Sequence, residues 1–250
     1  MGDGYIRSIE LVGMEDEQSY IADLPAVKHL VDMGGLSFDN SVTFLVGENG
    51  TGKSTLLEGI AVAFGFNPEG GSRNFSFATN ETHSPLHEHL RVIKSFSRPK
   101  DGFFLRAESY YNVATNIDEL DRQLASSPPI IESYGGVSLH EMSHGESFFA
   151  LAMNRFRGDG LYILDEPEAA LSPQRQMGLL IRMNELVQKN SQFIIATHSP
   201  ILLAYPDALI YELDENEIAR RRYEETETVS VSKAFLNDPK RMVAKLFGKE

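Results

Sequence analysis

The chain has 250 residues, 42% of them hydrophobic, enough for one large α/β domain with a sizeable core. A net charge of −13 argues against free-standing nucleic-acid binding, so any such contact needs a local basic patch or a partner. The absence of cysteine excludes disulfides and cysteine-ligated zinc, and no signal pattern or apolar run of membrane-spanning length occurs, which together predict a cytoplasmic protein.

In chain order, residues 4–12 and 42–46 read as strands, separated by a longer segment with Pro25 and Gly34-Gly35. The second strand runs into Gly47-Glu48-Asn49-Gly50-Thr51-Gly52-Lys53-Ser54, followed by Thr55 and an apolar helical face of Leu56, Leu57, Ile60, Ala61 and Phe64, with Gly65 as C-cap. This is a complete G-x-x-x-x-G-K-S loop in the strand–loop–helix setting that a phosphate site requires. The glycines let backbone N–H groups wrap around phosphates, and the helix N-terminus adds a positive dipole end. Lys53 is expected to reach the β- and γ-phosphates and Ser54 to ligate Mg²⁺, so ATP and Mg²⁺ are the expected ligands.

Further strands are expected at 75–79, 91–97 and 102–107. Thr115 and Asp118 form a capping box for a short helix bearing Ile117, Leu120 and Leu124, followed by the loop Ser126-Ser127-Pro128-Pro129. A helix from about 145, with Phe148, Phe149, Ala152 and Phe156, is expected to end at Gly158. Strands at 160–164, 192–196 and 208–211, a helix begun by Ser172-Pro173 and a C-terminal helix begun by Asp238-Pro239 complete the pattern. Alternating strands and helices predict a mostly parallel sheet flanked by helices, with an antiparallel N-terminal β portion and a small helical insert. The expected single domain comprises a nucleotide-binding core of 1–114 and 158–250 and a helical subdomain of about 115–157.

Two carboxylates close the strand Leu161–Leu164. Asp165 suits the Mg²⁺ shell, and Glu166 suits the general base that polarises water. His198, after the strand 192–196, can reach the γ-phosphate region. Ser143 and Gly145 stand at the start of an amphipathic helix, a second anion-binding helix end that would serve another protomer's nucleotide.

These motifs, in this order, resemble the ABC-type ATPase superfamily across nearly the whole chain, as a P-loop NTPase of the ABC ATPase head type. Gly47–Ser54 resembles Walker A, Asp165-Glu166 Walker B with its catalytic glutamate, and Ser143–Glu146 the signature motif. Ala169–Ser172 resembles the D-loop and His198 the switch histidine; Glu108 stands where the Q-loop residue is expected, facing Mg²⁺. The resemblance implies a homodimer formed on ATP binding, with Ser143 of one copy completing the site of the other. The catalytic set it implies is Glu166, His198 and Lys53. Departures at His144, Glu146, Glu108 and Ser172 bring the chain closer to stand-alone bacterial ATPases related to SMC, RecF and OLD-type heads, which work in DNA maintenance or defence. Only about 35 residues separate Glu108 from Ser143, which leaves no room for a long coiled-coil arm. The expectation is an ATPase that drives a separate effector protein. A slowly hydrolysing nucleotide-gated interaction module and a transporter's ATPase subunit are the alternatives.

Weaker signals are Arg73 after the first helix, Tyr20 and Phe38 as adenine-stacking candidates, a His83/His87/His89 group that could bind metal, and Arg220-Arg221-Arg222 among acids, read as an edge hairpin.

Overall fold

The computed structural model describes residues 4–13, 20–72, 84–106 and 144–248. The expected strand 75–79, the helix near 115–124, Arg73, His83, Glu108 and Ser143 lie outside these residues.

A seven-stranded sheet forms the frame. It comprises β3 (Val42–Gly47), β4 (Gly71–Ser72), β6 (Asp101–Leu105), β7 (Gly160–Asp165), β8 (Gln192–Ala196), β9 (Leu209–Leu213) and β10 (Ile218–Arg221), in the spatial order β10-β9-β3-β8-β7-β6-β4. The five central strands are parallel, and β10 and β4 close the edges antiparallel. β1 (Ile6–Leu11), β2 (Leu36–Ser37) and β5 (Leu90–Lys94) form a separate antiparallel sheet. The α/β architecture, with its small antiparallel sheet, is the one expected from the sequence.

Both faces of the main sheet are buried, as parallel strands require. Successive side chains point to opposite faces. Val42, Phe44, Val46, Tyr162, Leu164, Phe193 and Ile195 therefore enter one core with α3 (His144–Asn154), α4 (Pro173–Val187) and Val229 of α5 (Glu227–Asn237). Leu45, Leu161, Ile163, Ile194 and Ala196 enter the other, with α1 (Pro25–Met33), α2 (Lys53–Phe64) and the antiparallel sheet. The buried Gln192 side chain joins the two sheets: its amide donates to Ile6 O and its carbonyl accepts from Ile6 N, both at 2.9 Å. It satisfies an edge of β1 that has no strand opposite it there.

Several boundaries differ from the sequence reading. β5 stops at Lys94 rather than residue 97, because Ser95–Lys100 turn back toward β6. α3 ends at Asn154, four residues before Gly158. Phe156 leaves the helical path to stack on Tyr162, with ring centroids 4.3 Å apart, and Arg155 pairs with Asp101 at 2.7 Å. The segment 25–33, read as a connection, is α1, with Pro25 at its first turn and Gly34 in the left-handed region at its end. α5 was likewise unassigned, whereas α6 (Pro239–Leu246) begins as expected with the Asp238 carboxylate accepting from Arg241 N at 3.1 Å. Arg220 and Arg221 lie on β10 of an antiparallel edge hairpin and pair with Asp39, Glu212 and Glu217.

Candidate nucleotide-binding site

The site lies at the carboxyl ends of the parallel strands, where such sheets place ligands. β3 delivers the chain into Gly47–Gly52, and α2 starts at Lys53. Gly47 has φ 142°, and a Cβ there would overlap the Leu213 carbonyl oxygen at the end of β9. Only glycine fits between the two strand ends. Gly50 (φ 87°) and Gly52 (φ 93°) also occupy the left-handed region, which turns the loop's backbone inward. Ala26 N donates to Thr51 O at 2.9 Å, so the start of α1 buttresses the loop, and Thr51 Oγ1 donates to Glu48 O at 3.0 Å.

Lys53 is buried, and its ammonium donates to the carbonyl oxygens of Gly47 (2.6 Å) and Glu48 (2.7 Å). Burial lowers its pKa, opposed by the carboxylates of Glu166, Asp165, Glu168 and Glu48. In the first turn of α2, Ser54 Oγ donates to Asp165 Oδ1 at 3.0 Å, bringing together the two residues expected to share a magnesium ion. Asp165, at the end of β7, is 8% exposed. Burial raises its pKa to about 6, against the Ser54 hydrogen bond that lowers it.

Glu166 sits at φ 44°, ψ 52°, a left-handed conformation unusual for a side chain other than glycine or asparagine, and Pro167 follows it. Such a residue costs about 1–3 kcal/mol. Here its N–H is held by Ala196 O at 2.9 Å, and its Oε1 lies 3.6 Å from His198 Nε2. That separation is beyond hydrogen-bond reach, and among the described residues the buried Nε2 has no hydrogen-bond partner. A buried polar nitrogen left so costs about 1–3 kcal/mol unless a ligand oxygen meets it. The donor set fits a magnesium-bound triphosphate: an ammonium and loop N–H groups for the phosphates, a hydroxyl and a carboxylate for a hard cation, and an unsatisfied imidazole nitrogen beside the carboxylate that would handle water.

Sequence reasoning missed the residues that hold this group in place. Glu168 Oε1 accepts from His198 N at 2.5 Å. The buried Gln176 amide donates to Leu171 O at 2.9 Å, and its carbonyl accepts from Ser199 Oγ at 2.5 Å. Ser199 Oγ in turn accepts from Ile201 N and Leu202 N. The turn 167–171 and the loop 197–202 are thus tied by three side chains. The signal for Glu168 was present in the sequence, as a third acid three residues after Asp165. Gln176 carried none, because its role depends on a fold contact.

Other candidates fall away from the site or beyond view. Phe38 is buried in the core, its N–H donating to Arg7 O, and presents no ring face to a base, contrary to the expectation. Tyr20 is exposed at the start of the turn before α1. His87 Nδ1 lies 3.1 Å from Ser84 O, and no group of three or more potential metal ligands occurs among the described residues. Gly145 is the second residue of α3, and the start of that helix is joined to α4 by an Arg175–Glu146 pair at 3.2 Å. Ser143 and Glu108 lie outside the described residues; the strand leading to Glu108 ends at Leu105, and Arg106 pairs with Glu58 at 3.2 Å.

Fold and loop together define a P-loop nucleotide-binding domain. The chain belongs to the family described as "AAA domain, putative AbiEii toxin, Type IV TA system", whose model matches residues 79–204, about half the chain. A second model, described as "AAA domain", matches residues 34–122, including the phosphate loop. The chain is 27% identical over 234 residues to a "Putative ABC transporter ATP-binding protein" of Caldanaerobacter subterraneus, covering 86% of this chain and 90% of that protein. A "Putative carbohydrate transport ATP-binding protein" of Mycoplasma pneumoniae is 24% identical over 196 residues, 69% of this chain but only 34% of that longer protein. Among solved structures, a nucleotide-free ATP-binding cassette from an ABC transporter is similar at 18% identity and TM-score 0.49, covering 94% of this chain and 96% of that one. The SMC head domain from Thermotoga maritima is similar at 17% identity and TM-score 0.42, covering 87% and 99%.

Proposed function

We propose that this chain binds and hydrolyses ATP, closes as a homodimer around the nucleotide, and uses that cycle to drive a separate effector protein in DNA maintenance or defence. The observation that carries the reading is the convergence, at the carboxyl ends of the central strands, of Lys53, the Ser54–Asp165 hydrogen bond and the Glu166–His198 pair. The family description, which names a toxin of a toxin–antitoxin system, agrees with a defence role. No helix among the described residues is long and apolar enough to cross a membrane.

On this reading Lys53 leaves the carbonyls of Gly47 and Glu48 and donates to the β- and γ-phosphates, with the loop N–H groups around them. Ser54 and Asp165 hold Mg²⁺, which neutralises phosphate charge when bound. Glu166 takes a proton from a water whose oxygen bonds to the γ-phosphorus as the bridging bond to ADP breaks. His198 Nε2 meets the γ-phosphate oxygens. Ser143 and Gly145 of a second copy would complete the site, and Glu108 would approach the metal.

The test is nucleotide binding, turnover and oligomeric state for the wild type, Glu166→Gln and Lys53→Ala. The reading expects turnover by the wild type, tight ATP binding with a trapped dimer for Glu166→Gln, and no nucleotide binding for Lys53→Ala. Near wild-type turnover by Glu166→Gln would remove Glu166 as the base. A second reading, the ATP-binding subunit of a transporter, is favoured by the Caldanaerobacter relative's name and gains if a membrane protein co-purifies with the chain.

A further inference from the structure

The sheet edge opposite the phosphate loop carries a charge opposite to that of the chain. There the amino ends of β6, β7 and β8 meet the loop Ser95–Lys100, the turn after α3 and the turn after α4. These segments contribute the cations Arg98, Lys100, Arg155, Arg157 and Lys189, and only two acids, Asp101 and Asp159. Both acids are already engaged: Arg155 holds Asp101 at 2.7 Å and Lys100 holds Asp159 at 2.9 Å. Arg98, Arg157 and Lys189 are exposed and have no acidic partner among the described residues. The turns interlock, with Asp159 N donating to Lys189 O at 2.7 Å and Arg157 N to Asp101 Oδ2 at 3.1 Å, so the cations share one surface.

That surface is also shaped. A polar cavity of about 420 Å³ opens on it, walled by Tyr5, Ser41, Arg98, Lys100, Asn190 and Gln192. Beyond Lys100 a second depression of about 350 Å³ is lined by Pro99, Asp101 and Arg155. Next to Ser97, which also lines the first cavity, Phe96 is fully exposed. Its ring is not part of either buried core.

We propose that this edge binds single-stranded nucleic acid. Arg98, Arg157 and Lys189 would take successive phosphates, Phe96 would stack on a base, and the polar cavity would receive a neighbouring nucleotide. Unpaired cations tracking a backbone beside an exposed aromatic ring are how sequence-tolerant single-strand binding is built. A duplex keeps its base faces stacked inside and offers Phe96 nothing. The chain's net charge of −13 opposes a polyanion overall, so binding must rest on a local group of cations such as this one. The inference concerns a surface remote from the phosphate loop and does not rest on ATP hydrolysis.

The experiment is fluorescence anisotropy of a labelled mixed-sequence single strand of about 20 nucleotides, titrated with the full chain at about 50 and 200 mM salt. The wild type is expected to bind, more weakly at the higher salt. The combined variant Arg98→Ala/Arg157→Ala/Lys189→Ala should lose at least about tenfold in affinity, and its slope of log affinity against log salt should fall by about 2. Phe96→Ala should lose about five- to 150-fold. All four positions are exposed, so unchanged melting temperatures are expected of both variants. No binding at low salt, or equal binding by the triple variant, overturns the proposal. A polyglutamate peptide that binds with the same variant sensitivity while the oligonucleotide does not would assign the edge to an acidic protein instead, and equal affinity for a duplex would remove the role of Phe96.

Discussion

Ser54 Oγ donates to Asp165 Oδ1 across 3.0 Å, linking the first turn of α2 to the end of β7. These residues are 111 positions apart, and their contact exists only because β8 alone separates β3 from β7 in the sheet. The bond partly satisfies a carboxylate that burial has made reluctant to ionise. On the proposed reading, a cation bound between the two would remove this cost.

Asp165→Asn should therefore stabilise the nucleotide-free protein while disabling metal binding. The carboxyl's pKa is raised from 3.8 to about 6, so the folded state holds its proton more tightly than the unfolded chain. Its contribution to stability is complete below about pH 4 and is lost as pH rises through about 6. At pH 8 the penalty approaches about 3 kcal/mol. Asparagine removes the charge and still accepts from Ser54. Melting without nucleotide at pH 8 should show the variant higher by about 5 °C or more. At pH 4 the two proteins should melt together. An equal offset at both pH values would mean that the charge is not the cause.

On the proposed reading Glu166 combines backbone strain with the role of base, and two substitutions separate them. Glu166→Gln keeps the left-handed backbone and should lower turnover by about 10²–10⁴-fold with nucleotide affinity retained. Glu166→Gly relieves the φ of 44° and should raise stability by about 1 kcal/mol, with turnover lost as well. Chemical denaturation read beside a phosphate-release assay checks both. If the glycine variant is less stable than the wild type, the backbone at 166 is not strained.

The glycines of the loop should not be equivalent. A Cβ at Gly47 overlaps the Leu213 carbonyl oxygen, whereas nothing lies within 4 Å of one at Gly50. Gly47→Ala must push β3 and β9 apart and should cost more than about 3 kcal/mol, or leave no folded protein. Gly50→Ala meets only the backbone cost of a left-handed alanine, about 1–2 kcal/mol. Expression yield and urea midpoints of the two variants decide the matter, and equal midpoints would contradict the packing argument.

Much of this was legible in the chain because local signals and tertiary outcome coincided. The loop Gly47–Ser54, the strand into Asp165-Glu166 and the strand before His198 are each contiguous, and parallel topology brings their carboxyl ends together without further information. What stayed hidden depended on contacts distant in sequence. α1 was obscured by Pro25, which reads as a break yet serves at a first helical turn. The early end of α3 depends on Tyr162 attracting Phe156, and the burial of Phe38 on a sheet pairing that its neighbours do not announce. The basic edge was invisible for the same reason: Arg98, Arg157 and Lys189 lie in three separate turns, diluted in an acidic composition.

Gln176 lies outside the nucleotide site yet bonds to both loops that frame it. Its amide holds Leu171 O at 2.9 Å and its carbonyl takes the Ser199 hydroxyl at 2.5 Å, with Ser199 directly following His198. Gln176→Leu fills the same space but leaves the buried Leu171 carbonyl and Ser199 hydroxyl without these partners, a loss of about 2–3 kcal/mol. Gln176→Glu can still accept from Ser199 but cannot donate to Leu171. If Gln176 only supports the core, both variants should lower stability and leave turnover per folded molecule unchanged. If it positions His198, turnover should fall by about tenfold or more, with KM for ATP little changed, because phosphate contacts at Lys53 remain. The second outcome is expected: among the described residues, side-chain hydrogen bonds tie α4 to the His198 loop through Gln176 and Ser199, and a relaxed loop would free the Glu166–His198 spacing of 3.6 Å. Steady-state kinetics at a temperature where both variants are fully folded separates the two.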